Sequence, residues 1–365
     1  MLNEKYMKLA IELAKMGEGK VNPNPMVGAV IVKEERIIGR GYHEEYGKYH
    51  AEVNAINSAT ENLEGSTIYV TLEPCSHYGK TPPCVDKIIE NKISKVVIGM
   101  LDPNPLVSGR GIKKLKKAGI EVQTKILEEE CKKLNEVFIK YITTKKPFVV
   151  LKSAMSLDGK IATSSGESKW ISNENSRYEV HKLRNKLMGI MVGVNTVIKD
   201  NPELTCRIAN GINPIRIIVD SKLRIPLDSK ILNDNKSKTI IATTDKSQKE
   251  KIEYLEKKGA KVVVINSKDD KVDLNELMNV IGALGIDSIL LEGGAALNYS
   301  ALEANVVDKI QVYIAPKIIG GEKSKTPVGG KGIDLLQDAF KVENKTIKLI
   351  GEDILIEGYI KGEKS

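Results

Sequence analysis

At 365 residues the chain exceeds the usual size of a single domain, and its 41% hydrophobic and 28% charged residues are those of an ordinary folded protein. It contains no run of ~18 apolar residues, which excludes an obvious membrane-spanning helix. The net charge of +8 is spread over lysines such as Lys113, Lys114, Lys116 and Lys117, and with 4% aromatic residues there is no basic, aromatic platform for stacking single-stranded nucleic acid.

In chain order, residues 1–16 set Leu and Ile at helical spacing among Glu4, Lys5, Lys8, Glu12 and Lys15. This predicts an amphipathic helix, not a signal peptide, and hence a cytoplasmic protein. Strands are expected at 26–32 and 37–42 across a polar turn, a helix at 51–59, a strand at 67–72 and a helix at 85–90. Strands at 95–100 and 121–124 follow, then one charged helix at 128–140. The alternation argues for a three-layer α/β domain. The polar stretch 143–147 is the expected junction, giving domains 1–145 and 146–361. The second part has expected strands at 148–154, 189–193, 215–219, 239–242, 261–265, 288–291, 310–314 and 353–359. Helical patterns at 174–186, 248–258, 274–284 and 295–304 alternate with them. That again reads as α/β, with a sheet covered on both faces.

The four cysteines are too few for a disulfide framework in a chain of this size. Cys131 and Cys206 are isolated and read as structural thiols. Cys75 and Cys84 flank a proline-rich loop, and His50-Ala51-Glu52 opens the helix upstream of them. One His and two Cys are three ligands for tetrahedral zinc, with the fourth position left open as in a catalytic site. Zinc lowers the pKa of water toward ~7, which supplies the nucleophile for hydrolytic deamination. Glu52, two residues from His50, is placed to shuttle a proton to the departing amine. The order H-x-E, then P-C, then C is the signature of zinc deaminases. A closed structural zinc site would need a fourth ligand, for which His77 is the nearby candidate.

Nucleoside and nucleic-acid deaminases usually separate the two cysteines by two residues, whereas eight intervene here, from Ser76 to Pro83. The enlarged loop brings His77 and Lys80 beside the metal site, a cationic pair suited to an anionic substrate. An ordinary surface loop is the alternative reading.

In the second part no G-x-G-x-x-G follows a strand, so the Rossmann fingerprint is absent. The strand at 288–291 instead runs into Glu292-Gly293-Gly294-Ala295-Ala296 and then a helix. Small residues there would let backbone N–H groups reach a phosphate, although a plain tight turn uses the same residues.

These motifs together resemble one family, the bifunctional deaminase/reductase of bacterial riboflavin biosynthesis. The resemblance is carried by Asn22-Pro23-Asn24-Pro25-Met26-Val27-Gly28, Gly41-Tyr42-His43, His50-Ala51-Glu52, the run from Leu72 to Cys84, and Asp102-Pro103-Asn104-Pro105. Lys152-Ser153-Ala154-Met155-Ser156-Leu157-Asp158-Gly159-Lys160, Ser168-Lys169-Trp170-Ile171-Ser172 and the run from Val192 to Arg207 extend it across the second part. It implies an N-terminal cytidine-deaminase-like three-layer domain, with zinc, and a C-terminal dihydrofolate-reductase-like domain that uses NADPH. It also implies that Asn22, His43, His77, Lys80, Asp102 and Asn104 line a pocket for a diaminopyrimidine ribosyl phosphate. Turn chemistry is the alternative for Asn22 and Asn104.

For the reductase, the resemblance assigns the cofactor to Ala154, Trp170, Thr196, Asp200, Ser221 and Gly294, Ala295, Ala296, Leu297, Asn298, Tyr299 and Ser300. It assigns the sugar-phosphate substrate to Ser168, Arg184, Leu204, Arg207 and Glu292. Arg184 and Arg207 could fork onto a phosphate. Trp170 could instead be a core aromatic, and Arg207 a surface arginine. Met188-Gly189 departs from the pattern, where a more polar residue is expected before the strand. The expected partner is a small phosphorylated pyrimidine, with no nucleic acid and no membrane, in a homo-oligomer. The competing readings are a nucleic-acid or nucleoside zinc deaminase with an accessory domain, and a non-catalytic zinc scaffold.

Overall fold

The computed structural model describes residues 2–76, 78, 82–104 and 107–361. The chain forms two compact units, Met1–Lys145 and Lys146–Ser365. None of the described helices is long and apolar enough to cross a membrane.

The N-terminal unit runs α1 (Leu2–Lys15), β1 (Gly28–Lys33), β2 (Arg36–Tyr42), α2 (Ala51–Asn57), β3 (Thr67–Leu72), α3 (Cys84–Glu90), β4 (Lys95–Met100), α4 (Arg110–Lys117), β5 (Glu121–Gln123), α5 (Glu128–Leu134) and α6 (Glu136–Thr144). Its sheet has the order β2-β1-β3-β4-β5, with β1 antiparallel to both neighbours and β3, β4 and β5 parallel. The central strands β1, β3 and β4 are rich in Val and Ile and buried on both faces along nearly their whole length, so helices must cover both. Gly28 lets α1 lie directly on β1, because a Cβ there would stand 1.9 Å from the Ala10 carbonyl oxygen. On the other face Gly41 does the same for α2, where a Cβ would meet the Ala55 nitrogen at 2.3 Å and the Ala51 oxygen at 2.5 Å.

The helix expected at 128–140 is in fact two, α5 and α6, and Asn135 is the reason. Its buried side chain accepts from the Met26 N–H (2.9 Å) and donates to the Met26 carbonyl (3.0 Å). The break turns α6 and tethers it to the entry of β1. Cys131 on α5 is a buried structural thiol whose sulfur fills the space over Gly99.

The C-terminal unit continues with β6 (Phe148–Ser156), α7 (Glu174–Lys186), β7 (Gly189–Gly193), α8 (Val194–Asp200), β8 (Ile215–Val219), α9 (Lys230–Asn233), β9 (Thr239–Thr244), α10 (Lys249–Lys257) and β10 (Lys261–Ile265). Then come β11 (Ser267–Lys268), β12 (Lys271–Val272), α11 (Leu274–Ala283), β13 (Ser288–Leu291), α12 (Ala295–Glu303), β14 (Lys309–Ala315), β15 (Val342–Ile350) and β16 (Asp353–Ile360). The main sheet has nine strands in the order β10-β9-β8-β7-β13-β6-β14-β16-β15. It is parallel from β10 to β14, and β16 and β15 are added antiparallel. The strands β11, β12 and β15 and the short helices α8 and α9 were not expected. The first two are a two-residue hairpin, and β15 is polar and exposed along most of its length, so it carries no burial pattern. The expectation of a sheet covered on both faces therefore holds for the parallel strands and fails at the antiparallel end.

The Gly41 contact gives a direct check. Gly41→Ala forces a Cβ into the α2 backbone and should cost about 2 kcal/mol. Amide exchange in α2 should then accelerate by roughly 30-fold. Unchanged exchange would mean that α2 is not held on the sheet by this approach.

Candidate active sites

In the N-terminal unit three segments deliver their side chains to one point. His50 is the N-cap residue of α2 and Glu52 lies in its first turn. Cys75 follows the end of β3, and Cys84 is the first residue of α3. The imidazole Nδ1 lies 3.6 Å from the Cys75 sulfur and 3.4 Å from the Cys84 sulfur, and the Cys84 N–H donates to the Cys75 sulfur at 3.3 Å. All three donor atoms fall within 4.8 Å of one another, the sole such group of potential metal ligands among the described residues. For Zn–S and Zn–N bonds of ~2.3 and ~2.0 Å, the edges of a tetrahedron are about 3.5–3.8 Å. The donor set and its spacing therefore fit zinc, with one position open.

The electrostatics agree with a ligand set. The hydrogen bond with Cys75 raises His50 to about 9, against the opposing effect of burial. Cys75 is held well below the usual thiol range, first by hydrogen bonding from Cys84 and then by His50, while the hydrogen bond with Cys75, and burial after it, push Cys84 up. Glu52 is buried, and burial raises its pKa. A carboxyl of that kind can both take and return a proton.

The site opens into a cavity of about 380 Å³. His43, Asp102 and Asn104 line it, as the resemblance implies. His43 is buried, which lowers its pKa. Its Nδ1 bonds the Tyr49 carbonyl (3.0 Å) and its Nε2 faces the Asn24 amide (3.2 Å), so the neutral ring donates at Nδ1 and accepts at Nε2. Asn22 is not among the lining residues, whereas Asn24 is. His77 and Lys80 lie outside the described residues. The cavity wall also includes Phe138 and Ile142 of α6, far along the chain and carrying no motif.

Glu73 is a further group that the motif reading passed over. Its buried carboxylate accepts from the N–H groups of Gly111 (3.1 Å), Ile112 (3.4 Å), Gly109 (3.0 Å) and Asp102 (3.4 Å). It therefore caps the start of α4 and ties the segment bearing Asp102 and Asn104 to the turn that bears Cys75. The available signal was an acidic residue at the end of an otherwise apolar strand, immediately before Pro74.

In the C-terminal unit the second set gathers at the C-terminal ends of β6, β7 and β13, where parallel sheets place their ligands. Arg184, on the last turn of α7, forks onto Glu292 (2.8 and 3.1 Å) and donates to the Thr205 carbonyl (3.0 Å). The guanidinium fork expected to meet a phosphate is thus committed to Glu292. Burial alone would raise Glu292, but Arg184 and Lys152 outweigh it and hold the carboxylate at about 2. The Lys152 ammonium stands 3.8 Å from Glu292. His181 was not expected here. Burial first, and then Arg184 and Arg207, lower it to about 4, and its Nδ1 accepts from the Arg207 N–H (3.2 Å).

Gly294 caps α12, and a Cβ built on it would meet nothing closer than the Thr196 hydroxyl of α8 at 3.7 Å. The starts of α8 and α12 thus face a common space beside Gly293 and Gly294. The buried Asn298 oxygen, which has no partner, lies against Gly293. The open space over Gly294 fits a dinucleotide phosphate approaching backbone N–H groups at the start of α12, whereas the Asn298 oxygen, an acceptor, cannot bond such a group. Asn298 and Tyr299 otherwise turn inward, onto the Pro327 and Gly332 carbonyls. Ala154 lies on β6, Asp200 ends α8, and Ser221 follows β8 with its hydroxyl accepting from the Val272 N–H (3.1 Å). Leu204 is packed in the core, so it can meet a ligand only through its backbone. Ser168 and Arg207 are exposed. Trp170 is no core aromatic: it is 59% exposed, with the Arg177 guanidinium 4.7 Å above its ring.

Family profiles match both units. The cytidine and deoxycytidylate deaminase zinc-binding region matches residues 1–100, and the RibD C-terminal domain matches residues 147–356. The riboflavin biosynthesis protein RibD of Actinobacillus pleuropneumoniae is 51% identical over 353 residues, which are 96% of this chain and 94% of that protein. Among solved structures, Acinetobacter baumannii RibD aligns with a TM-score of 0.89 at 35% identity, covering 99% of each chain. A diaminohydroxyphosphoribosylaminopyrimidine deaminase/5-amino-6-(5-phosphoribosylamino)uracil reductase from Thermotoga maritima aligns with a TM-score of 0.85 at 40% identity, again over 99% of each chain.

Two measurements check these sites. Glu73→Gln keeps the shape but weakens four backbone contacts. It should leave one zinc per chain while raising the KM for deamination several-fold, and an unchanged KM would make Glu73 a matter of stability alone. For His181, the folded value of about 4 lies below the unfolded ~6.5. The fold favours the neutral ring, so His181 should subtract stability as pH falls from ~6.5 toward 4. Imidazole NMR of the folded chain should give a midpoint near 4, and a midpoint near ~6.5 would contradict the buried, cation-flanked placement.

Proposed function

The chain belongs to the RibD family of bifunctional riboflavin-biosynthesis deaminase/reductases, and on that premise we propose that its two sites act in succession on one small phosphorylated pyrimidine. The substrate is 2,5-diamino-6-(5-phosphoribosylamino)pyrimidin-4-one. It loses an amino group by hydrolysis in the N-terminal unit, and its ribosyl chain is reduced to ribityl in the C-terminal unit. The observation that carries this reading is the convergence of His50, Cys75 and Cys84 with the buried Glu52 on one cavity.

His50, Cys75 and Cys84 hold the zinc, which supplies the Lewis acidity that makes water nucleophilic at neutral pH. Glu52 takes a proton from the attacking water and delivers it to the departing amine. Its burial suits it to both roles, since a raised pKa narrows the gap between giving and taking. Neutral His43, Asn24, Asp102 and Asn104 orient the pyrimidine, and His77 and Lys80 are the groups expected to meet its phosphate.

In the reductase, NADPH supplies the hydride, and the protein's task is to bring donor and acceptor carbons together and exclude water. The turn Glu292-Gly293-Gly294 and the start of α12 hold the cofactor phosphates, with Ala154, Trp170, Thr196, Asp200 and Ser221 along its length. Arg184 acts through Glu292, holding it ionised and oriented as an acceptor for a substrate hydroxyl. Ser168, Arg207 and the backbone of Leu204 bind the remainder of the sugar phosphate. The chain works as a homo-oligomer in the cytoplasm.

The test separates the two activities. Glu52→Gln should lower ammonia release by at least ~100-fold. The same variant should retain one zinc per chain and oxidise NADPH normally when given substrate that is already deaminated. Loss of both activities in a folded, zinc-loaded variant would count against two separate sites.

A further inference from the structure

The second half of α7 and the loop at 204–213 are joined by contacts that no sequence motif announced. His181, Arg184 and Asn185 lie three and four residues apart and so share one face of α7. Each of them takes hold of the loop. The His181 Nδ1 accepts from the Arg207 N–H (3.2 Å), and the His181 backbone carbonyl accepts from the Cys206 thiol (3.4 Å). Arg184 donates to the Thr205 carbonyl (3.0 Å), and the Asn185 side chain accepts from the Ile212 N–H (2.9 Å). The loop is also drawn tightly against itself, since a Cβ on Gly211 would stand 2.6 Å from the Cys206 sulfur. The helix therefore sets the path of residues 205–212, and Arg207 is fixed at its backbone while the residue stays exposed.

Because Nδ1 is the acceptor, the neutral ring carries its proton at Nε2. Among the described residues that N–H has no partner, and neither has the Arg207 guanidinium. The charges acting on the ring are Arg184 of the same helix, Arg207 of the loop, Lys152 of β6 and Glu292 after β13. Arg184 and Lys152 stand 2.8 and 3.8 Å from Glu292, so both are turned to that one carboxylate. Three cations against one anion leave the place positive, and the groups still uncommitted are a guanidinium and an imidazole N–H, both donors suited to a phosphate. Burial and the flanking cations disfavour an imidazolium, so the ring adds a donor here without adding charge. We infer that His181 is a further binding and positioning residue of the reductase: its Nδ1 holds the Arg207 backbone, and its Nε2–H bonds the substrate phosphate beside the Arg207 guanidinium. The inference rests on the reading that this site takes a sugar phosphate. It supplies that reading with a donor in place of the Arg184 fork, which Glu292 occupies.

Steady-state NADPH oxidation by the full chain tests this, with the deaminated substrate and with the same compound lacking its phosphate. His181→Asn puts an amide oxygen at the place of Nδ1, so it keeps the bond from the Arg207 N–H and loses Nε2–H. It should raise the KM for the phosphorylated substrate roughly 10-fold with kcat little changed. For the compound without phosphate its KM should stay within about 2-fold of the wild type. His181→Leu loses both contacts and should raise the first KM roughly 100-fold. A purely structural role would weaken both substrates alike, so equal effects on the two would overturn the proposal. Arg207→Ala separates the possible failures. If it raises the KM for the phosphorylated substrate and His181→Asn does not, the role of His181 falls and the sugar-phosphate reading stands; if neither variant changes that KM, both fall. Should the His181 variants not fold, imidazole nitrogen NMR of the wild type decides. Deaminated substrate added without NADPH should shift Nε2 and leave Nδ1 in place, and an unmoved Nε2 at saturation would refute the contact.

Discussion

The N-terminal unit rests on one constraint: three donor atoms from three separate segments must meet within 4.8 Å. No single element can satisfy it. β3 must end where it does to present Cys75, α3 must begin at Cys84, and α2 must lie against the sheet closely enough for His50 to reach both sulfurs. Gly41 sets that last distance, since any side chain there would lift α2 away. Glu52 then follows at no further cost, because one turn of the same helix carries it into the buried space beside His50.

Each unit also depends on a carboxylate largely withdrawn from water that is not left to itself. Glu73 is satisfied by backbone N–H groups and so organises a loop and a helix start. Glu292 is satisfied by a guanidinium fork with an ammonium nearby, and so stays ionised in a place where burial alone would neutralise it. The same physics, that a charge taken from water must be repaid by neighbours, yields a structural clamp in one unit and a poised acceptor in the other.

The two units differ in how they meet solvent. The parallel strands need helices on both faces because their residues are apolar on both. The added antiparallel strands do not carry that pattern. One side takes α7, and on the other Ile347 and Leu349 stay 71% and 75% exposed.

Much of this was legible without coordinates. Periodicity placed most strands and helices, because burial on a face imposes spacing on the residues that form it. His50, Glu52, Cys75 and Cys84 declared themselves because metal ligation and proton transfer demand specific residue types at short intervals. What escaped was whatever depends on residues distant in the chain. Asn135 breaks a helix because it answers Met26, and Phe138 and Ile142 wall a cavity whose motifs lie far upstream. Arg184, read as a phosphate fork, is turned to Glu292. Spacing alone does not tell Asn22 from Asn24, since both sit in the same Asn-Pro repeat, and it is Asn24 that the cavity wall includes. The sequence by itself determined the chemistry, since donor atoms and a carboxyl can be named from residue type. Only the tertiary structure decided which groups hold those residues in place, because hydrogen bonds and ion pairs are made across space and leave no period in the chain.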